Sequence, residues 1–352
     1  MSRSDIYYWK CDRPAAFHGM HSRVGSEPQI AHLLQRELQD HFNSKEIVLH
    51  SADAQGNHLA WTSVISGTPV FIRVEDGPEN DRHLEVESAV LDRVRDAGVY
   101  TPRVLGCDAS RAQVPFAWQV LERIPGRDLN QWFKQGRLET RRIAHDIGKA
   151  VAKWQNITLE GFGTLDRHLR GSRGTYADYF RLHLETHLHF LKSHGFLSDT
   201  EAILAEILEH EALLTVASGC LVHKDLALWN ILGQPDAIAA FIDFDDAISG
   251  DPLDDLSLLG CFHDGPFLNR TLEGYQSVRP LPAEYRRRFW LHLLRNMIVK
   301  AVIRVGAGYF NRSDRFFLIG SGLSGADLER STRDRLAIAR RGLRKDLEIT
   351  VL

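Results

Sequence analysis

The run His223-Lys224-Asp225-Leu226-Ala227-Leu228-Trp229-Asn230 sets a carboxylate and an amide in an H-x-D-x-x-x-x-N spacing. It continues into strand-like Ile231-Leu232, a turn over residues 233–236, a second strand-like stretch over 237–242, and then Asp243. A hairpin of this kind delivers Asn230 and Asp243 to one edge with little backbone freedom. Phosphoryl transfer from ATP asks for these groups. Asp225 would accept or orient the proton of an attacking hydroxyl, while Asn230 and Asp243 would hold Mg²⁺ on the phosphates.

The chain around this run supplies the elements that must position it. Residues 1–27 form a polar and aromatic lead-in without periodicity. Ile30, Leu33, Leu34, Leu38 and Phe42 then recur at helical spacing. From residue 46 to 75 the period becomes that of strands, broken by turn residues at 53–57 and at Ser66-Gly67. An antiparallel meander fits, because a parallel pair needs a crossover of a dozen or more residues. Residues 83–98 read as a helix with Val86, Val90, Leu91 and Val94 on one face, closed by Gly98. Strands are expected near 103–107 and 117–122, and Pro125-Gly126 punctuates the chain.

Beyond that point helical patterns dominate, at about 138–155, 176–194, 199–216, 285–305 and 326–347, interrupted by the β island around Asp225. The expected class is therefore α+β: a small antiparallel-sheet lobe, a hinge at 120–126 and a larger helical lobe. Expected boundaries are 1–27 for an N-terminal extension, 28–122 for the small lobe and 123–352 for the large one. Strands and helices do not alternate, which disfavours a parallel α/β fold.

Composition narrows the classes further. The 352 residues carry 43 Lys+Arg against 46 Asp+Glu, so nothing in the bulk charge draws the protein to nucleic acid or an anionic membrane. The four cysteines (Cys11, Cys107, Cys220, Cys261) show no C-x-x-C spacing, which predicts a reduced, cytoplasmic protein without a disulfide framework. No apolar run approaches the length of a membrane span, and the opening residues lack the core of a signal peptide. His183 and His187 stand at i, i+4 in an H-L-E-T-H run, but no third metal ligand is indicated, so they read as ordinary histidines. Gly161-Phe162-Gly163 reads as a loop, and Arg286–Arg288 as a solvated helix face.

VHKDLALWNIL followed by IDFDDAISGDPLDDLSLL resembles the catalytic region of the aminoglycoside phosphotransferase and choline kinase-like family. That family shows H-G-D-x-x-x-x-N, then I-D-[FW]-x-x-A, then G-D-P-x-x-D-L, in this order. The likeness extends to FIRVE, LEVESAVLDRV, TPRVLG, WQVLERIPGRDL and EGFGTL, and so covers most of residues 47–265. It implies a two-lobed, protein kinase-like fold. It also makes Asp225 the catalytic aspartate, Asn230 and Asp243 the metal ligands, and His223 and Asp255 the braces of the catalytic loop. Arg73 would take the phosphate-pairing position with Glu87 as its partner, Glu85 being the competitor. Residues 51–58, with Gly56 and Asn57, would form a flap over the phosphates. Adenine would lie against the hinge at Leu121–Arg123 with Val120 and Ile242 as walls. Lys224 replaces the usual glycine, Trp229 directly precedes the asparagine, and Asp245 also replaces a glycine. Trp229 and Asp245 therefore become candidates for the acceptor wall.

The function so implied is an ATP- and Mg²⁺-dependent kinase acting on a hydroxyl of a small polar metabolite, with GTP left open as donor. Its rivals are an aminoglycoside antibiotic kinase, a choline or amino-alcohol kinase, a nucleotide-binding pseudokinase and a protein kinase. Intact Asp225, Asn230 and Asp243 argue against the pseudokinase. Gly250-Asp251-Pro252 follows Asp243 almost at once, leaving no room for an activation loop. Residues 173–211 hold three Lys+Arg and seven Asp+Glu, whereas residues 270–315 hold ten and three. The second segment follows the Gly-Asp-Pro element, which favours a neutral or weakly charged sugar, amino sugar or cyclitol over a polycation. Within it His292, Asn296 and Lys300 recur at i, i+4, i+8 as one polar stripe, either a solvated face or an acceptor wall.

Overall fold

The structure is a computed structural model that describes residues 3–12, 25–52, 58–77, 81–312 and 324–352. The chain opens with a 3-10 turn at Arg3–Asp5 and a single helical turn, α1 (Trp9–Asp12). Helix α2 (Glu27–His41) follows, its first turn fixed by Pro28 and by the Gln29 side chain accepting from the Ser26 N–H at 3.0 Å. The small-lobe sheet comprises β1 (His50–Ser51), β2 (Leu59–Ile65), β3 (Thr68–Glu75), β4 (Val104–Asp108) and β5 (Ala117–Glu122), with α3 (His83–Asp96) between β3 and β4. All neighbours in the order β1-β2-β3-β5-β4 are antiparallel. The β2–β3 hairpin closes through Ser66 and Gly67, both at positive φ, as the twist of a two-residue hairpin requires.

Strand alternation gives this sheet an apolar face and a face that carries polar site residues. Val70, Ile72, Val74, Trp118 and Val120 meet Ile30, Leu34 and Leu38 of α2 in one core. Each of these side chains contributes about 1.5–3 kcal/mol by leaving water. The opposite face carries Arg73 and Gln119, directly paired across β3 and β5, and looks toward α3.

In the large lobe, β6 (Arg127–Asp128), α4 (Leu129–Lys134) and α5 (Thr140–Trp154) lead to β7 (Thr158–Leu159), β8 (Phe162–Leu165) and β9 (Gly171–Arg173). Helices α6 (Tyr176–Phe180), α7 (Leu184–Ser193) and α8 (Thr200–Glu209) come next. The helix expected over 176–194 is thus broken, because His183 adopts a left-handed φ of 56°. Strands β10 (Gly219–Val222), β11 (Ile231–Gln234), β12 (Ala237–Phe241) and β13 (Ile248–Gly250) surround the motif. They belong to two sheets, β7-β10-β13-β8-β9 and β12-β11-β6, where the sequence suggests a single hairpin. Helices α9 (Leu253–Leu259), α10 (Gly265–Gln276), α11 (Tyr285–Gly306) and α12 (Gly325–Lys345) complete the lobe. Glycine permits the close α5–α10 crossing: a Cβ on Gly148 would strike the Thr271 carbonyl, and one on Gly274 that of His145. No described helix is long and apolar enough to cross a membrane.

Candidate active site

Strand β10 ends at Val222, and the next three residues form the loop that presents Asp225. Asp255 of α9 ties this loop down: its Oδ2 accepts from the His223 N–H and from Trp154 Nε1, and its Oδ1 from the Lys224 N–H, each at 3.0 Å. His223 is fully buried, donates from Nε2 to the Ile242 carbonyl at 3.0 Å, and accepts the Asp225 N–H at Nδ1. The two residues thus brace the loop from both sides. Lys224 has a φ of 69°, the left-handed region where glycine is free and other residues are strained.

Asn230 sits in a 3-10 turn just before β11 and donates to the Asp225 carbonyl at 2.8 Å and to its Oδ2 at 3.2 Å. Asp243 follows β12 with a φ of 68°, and its Oδ1 lies 3.4 Å from an Arg73 nitrogen. The hairpin therefore brings Asp225, Asn230 and Asp243 to one edge. Across the cleft Arg73 is buried, donates from Nε to Gln119 Oε1 at 2.8 Å, and forms an ion pair with Glu87 of α3. Glu85 instead pairs with Arg82 at the surface. Arg73 links the two lobes at this point, as do His58 and His83 through Asp245.

Asp245 and Asp246 add two more buried carboxylates beside Asp243. Burial, together with the Asp245 charge, raises the pKa of Asp243 and raises that of Asp246 well above the carboxylate range. Against its own burial, Asp245 is held far below that range by His58 and by the Arg73 charge. Asp246 Oδ2 is buried with no hydrogen-bond donor among the described residues. Asp243, Asp245 and Asp246 thus set three carboxyl groups side by side, close enough for the Asp245 charge to act on the other two.

Several expectations need correction. Val120 points to the α2 side of the sheet, because strand parity puts it opposite to Gln119 and Arg73; Leu121 lies on the cleft side instead. The Arg123 N–H donates to the Pro69 carbonyl at 3.0 Å, so the sheet uses the amide expected to face adenine. Half-buried Ile242 borders the loop as expected, its N–H donating to the Asn230 carbonyl at 3.0 Å. Gly56 and Asn57 lie outside the described residues. Trp229 packs edge-on against Phe262, ring centres 4.9 Å apart.

The polar stripe of α11 is neither a solvated face nor simply an acceptor wall. Residues from Phe289 to Arg304 are all buried. His292 Nε2 lies 3.0 Å from Asp251 Oδ2 of the Gly-Asp-Pro element, and Asn296 donates to Asp254 Oδ1 at the start of α9 at 3.1 Å. Lys300 alone reaches the centre, its Nζ 3.3 Å from Asp225 Oδ1. Arg288, expected on a solvated face, pairs with buried Asp251 at 2.7 Å.

Residues 3–12 are the part of the site that sequence reasoning missed. Tyr8 donates its hydroxyl to Asp225 Oδ1 at 2.6 Å, and Lys10 Nζ donates to Oδ2 at 2.9 Å. Arg3 reaches Asp81 of the small lobe at 2.9 Å. Cys11 and Asp12 meet His187, the histidine that lacked a third ligand in the sequence. Arg295 donates to Nδ1 of that ring at 3.0 Å, which leaves the ring proton on Nε2, pointing at Asp12, where a metal would need the lone pair. The only legible signal was Ile6-Tyr7-Tyr8-Trp9, an apolar cluster too short for a core of its own that must dock elsewhere.

Comparison with known proteins agrees with this geometry. The aminoglycoside phosphotransferase APH(4)-Ia is 18% identical with a TM-score of 0.60, the match covering 88% of this chain and 98% of that one. A protein assigned as a fructosamine-3-kinase from Thermobifida fusca YX-ER1 is 20% identical with a TM-score of 0.60, over 86% and 98%. APH(2")-IIa, in a ternary complex with streptomycin and ATP, is 16% identical with a TM-score of 0.55, over 91% and 99%. These likenesses establish the two-lobed, protein kinase-like fold. No curated protein matches the sequence. The family model of the phosphotransferase enzyme family matches residues 53–290, more than half of the chain. The chain belongs to this phosphotransferase enzyme family, whose members are ATP-dependent small-molecule kinases.

Proposed function

We propose that this kinase transfers the γ-phosphoryl group of ATP to a hydroxyl of a neutral or anionic sugar-like metabolite, with Asp225 as the group that receives the acceptor proton. Asp225 sits within hydrogen-bond reach of a hydroxyl already, at 2.6 Å from that of Tyr8, which is the distance proton transfer requires. Arg73, fixed by Glu87 and Gln119, is placed to hold phosphate oxygens with its planar fork. Leu121 would supply the adenine wall on the cleft side of β5.

The orphaned Asp246 oxygen, beside the Asp243 and Asp245 carboxyl groups, fits a hard divalent cation bound by oxygen. Asn230 and Asp243 would hold Mg²⁺, with Asp245 and Asp246 nearby. Mg²⁺ when bound neutralises phosphate charge.

The acceptor class rests on one observation: a buried ammonium, Lys300, lies against the catalytic carboxylate. A cation at that point opposes a polycationic acceptor and favours a polyol or an anion. APH(4)-Ia, crystallised with hygromycin B, and the fructosamine-3-kinase-type protein keep an aminoglycoside and a ketosamine as the competing acceptors. A coupled ADP-release screen over sugars, cyclitols, ketosamines, amino alcohols and aminoglycosides tests the reading. Turnover confined to aminoglycosides would refute it.

A further inference from the structure

The N-terminal segment fills the place where an acceptor belongs. Asp225 receives four donors: the Tyr8 hydroxyl at 2.6 Å, Lys300 at 3.3 Å, Lys10 at 2.9 Å and Asn230 at 3.2 Å. A hydroxyl arriving from solvent finds the carboxylate already saturated, with a hydroxyl of the protein itself in the reacting position.

This seating is built rather than incidental. Tyr7 stacks on Tyr179 with ring centres 4.9 Å apart, receives the Tyr179 hydroxyl at its carbonyl, and lies under the Arg295 guanidinium at 3.7 Å. Lys224 donates to the Tyr7 hydroxyl at 3.1 Å. Asp12 accepts the Tyr7 and Tyr8 N–H groups at 2.8 and 3.2 Å, closing the segment into a tight turn that aims Tyr8 inward. Upstream, the Arg3 carbonyl accepts from Thr164 at 2.9 Å and the Asp5 carbonyl from His183 at 2.6 Å. Both sides of Tyr8 are thus pinned to the large lobe, and the phenol is nearly without freedom.

We propose that Tyr8 is an internal acceptor: the kinase phosphorylates its own Tyr8 in cis. The inference rests on the kinase reading above. The Tyr8 phenolic oxygen forms a bond to the γ-phosphorus of ATP. The bond from that phosphorus to the β,γ-bridging oxygen breaks, ADP leaves with the electron pair, and the phenolic proton passes to Asp225 and on to solvent. The products are O-phosphotyrosine and ADP. The dianionic ester, beside the Asp225 carboxylate with Asp245 and Asp246 nearby, is then repelled from its seat against the pull of Lys10 and Lys300, which vacates the position for an external hydroxyl.

The test uses the full chain with Mg·ATP and no added acceptor. Mass spectrometry should find one phosphoryl group per chain, localised to Tyr8, formed at a first-order rate that does not change on dilution. Tyr8→Phe and Asp225→Asn should both abolish it. Without nucleotide, hydrogen exchange should show protected amides at Tyr7, Tyr8, Cys11 and Asp12; free exchange there would overturn the seating. A chain that binds Mg·ATP by calorimetry and phosphorylates an external acceptor, yet leaves Tyr8 unmodified, would overturn the proposal while sparing the kinase reading. So would a label on Tyr7 or a rate that scales with protein concentration. Absence of nucleotide binding would instead bring down the kinase reading itself.

Discussion

Lys224 and Asp254 form a fully buried ion pair, Nζ to Oδ2 at 2.8 Å, although Lys224 stands at a backbone position that favours glycine. The left-handed conformation costs about 1–2 kcal/mol for a residue with a Cβ. Holding Asp254, Asn296 and Tyr7 together offsets it. Lys224→Gly should relieve the backbone strain and still destabilise the protein by about 3–5 kcal/mol, because Asp254 is left as an unpaired buried charge. Urea unfolding of the single variant and of Lys224→Gly with Asp254→Asn checks this. Recovery of most of the loss in the double variant is expected; full stability in the single variant would contradict the argument.

Removal of the catalytic carboxylate should separate binding from chemistry. Asp225→Asn keeps the shape and the Asn230 contact but cannot accept a proton. Turnover should fall by about 10²–10⁴-fold while calorimetry still shows nucleotide binding. Near-normal turnover would remove Asp225 from its assigned role.

Arg73 joins Glu87 to Asp243, so its loss should act through nucleotide more than through acceptor. Arg73→Ala should lower kcat/KM for ATP by about 10²–10³-fold. Arg73→Lys should recover only part of it, since an ammonium cannot reproduce the fork that holds Gln119, Glu87 and Asp243 together. An effect confined to the KM of the acceptor would show that Arg73 does not face the phosphates.

Much of this arrangement was readable because it is local. Strand β5 follows from AWQVLE between turn residues, and the Asp225–Asn230–Asp243 grouping from a hairpin that sequence spacing alone closes. Where the sequence misled, the deciding contact was distant. Val120 reads as a cleft wall because parity within one strand has no anchor in the sequence; the pairing of Gln119 with Arg73 supplies it. The α11 stripe reads as either a solvated face or an acceptor wall, and its actual partners Asp251, Asp254 and Asp225 come from residues far earlier in the chain. Helix α10, which the sequence reading does not place, starts at Asp264-Gly265-Pro266 with Asp264 accepting the Phe267 N–H. The apolar Ile6-Tyr7-Tyr8-Trp9 cluster shows in the sequence that this segment must dock, but not where, since the partner of Tyr8 is 217 positions away.

Three buried histidines give the fold a dependence on pH. Burial lowers His83 to about 3, helped by the Arg3 charge, and His263 to about 3, helped by Arg335. Burial likewise lowers His187 to about 4, with Asp12 opposing and Arg295 assisting. The unfolded chain titrates near 6.5, so between that value and 3–4 it binds more protons than the native state. The contribution of these groups is complete above about 6.5 and is lost as pH falls toward 3–4. Comparing unfolding free energies of wild type and His263→Gln over this range isolates one proton. The variant should show a shallower slope, and identical slopes would refute the assignment.

The acceptor prediction turns on Lys300. Its ammonium is buried, is kept in place by Asp225 and lies over the rings of Tyr8 and Phe262 at 4.9 and 5.4 Å. Burial lowers its pKa, yet the Asp225 charge works to keep the proton. Two like charges about 4 Å apart repel by about 4 kcal/mol at an effective dielectric near 20, a term that a polyamine approaching Asp225 would meet and a polyol would not. Lys300→Met removes the charge while keeping an unbranched chain of similar length. Turnover should fall for every acceptor, because Asp225 loses a neighbour that orients it. The ratio of kcat/KM for a kanamycin-type aminoglycoside to that for the best sugar-like acceptor cancels this common loss. That ratio should rise by about ten- to a hundredfold in the variant. An unchanged ratio would mean that the acceptor does not approach Lys300, and the acidic 173–211 segment would then be the better candidate for the acceptor wall.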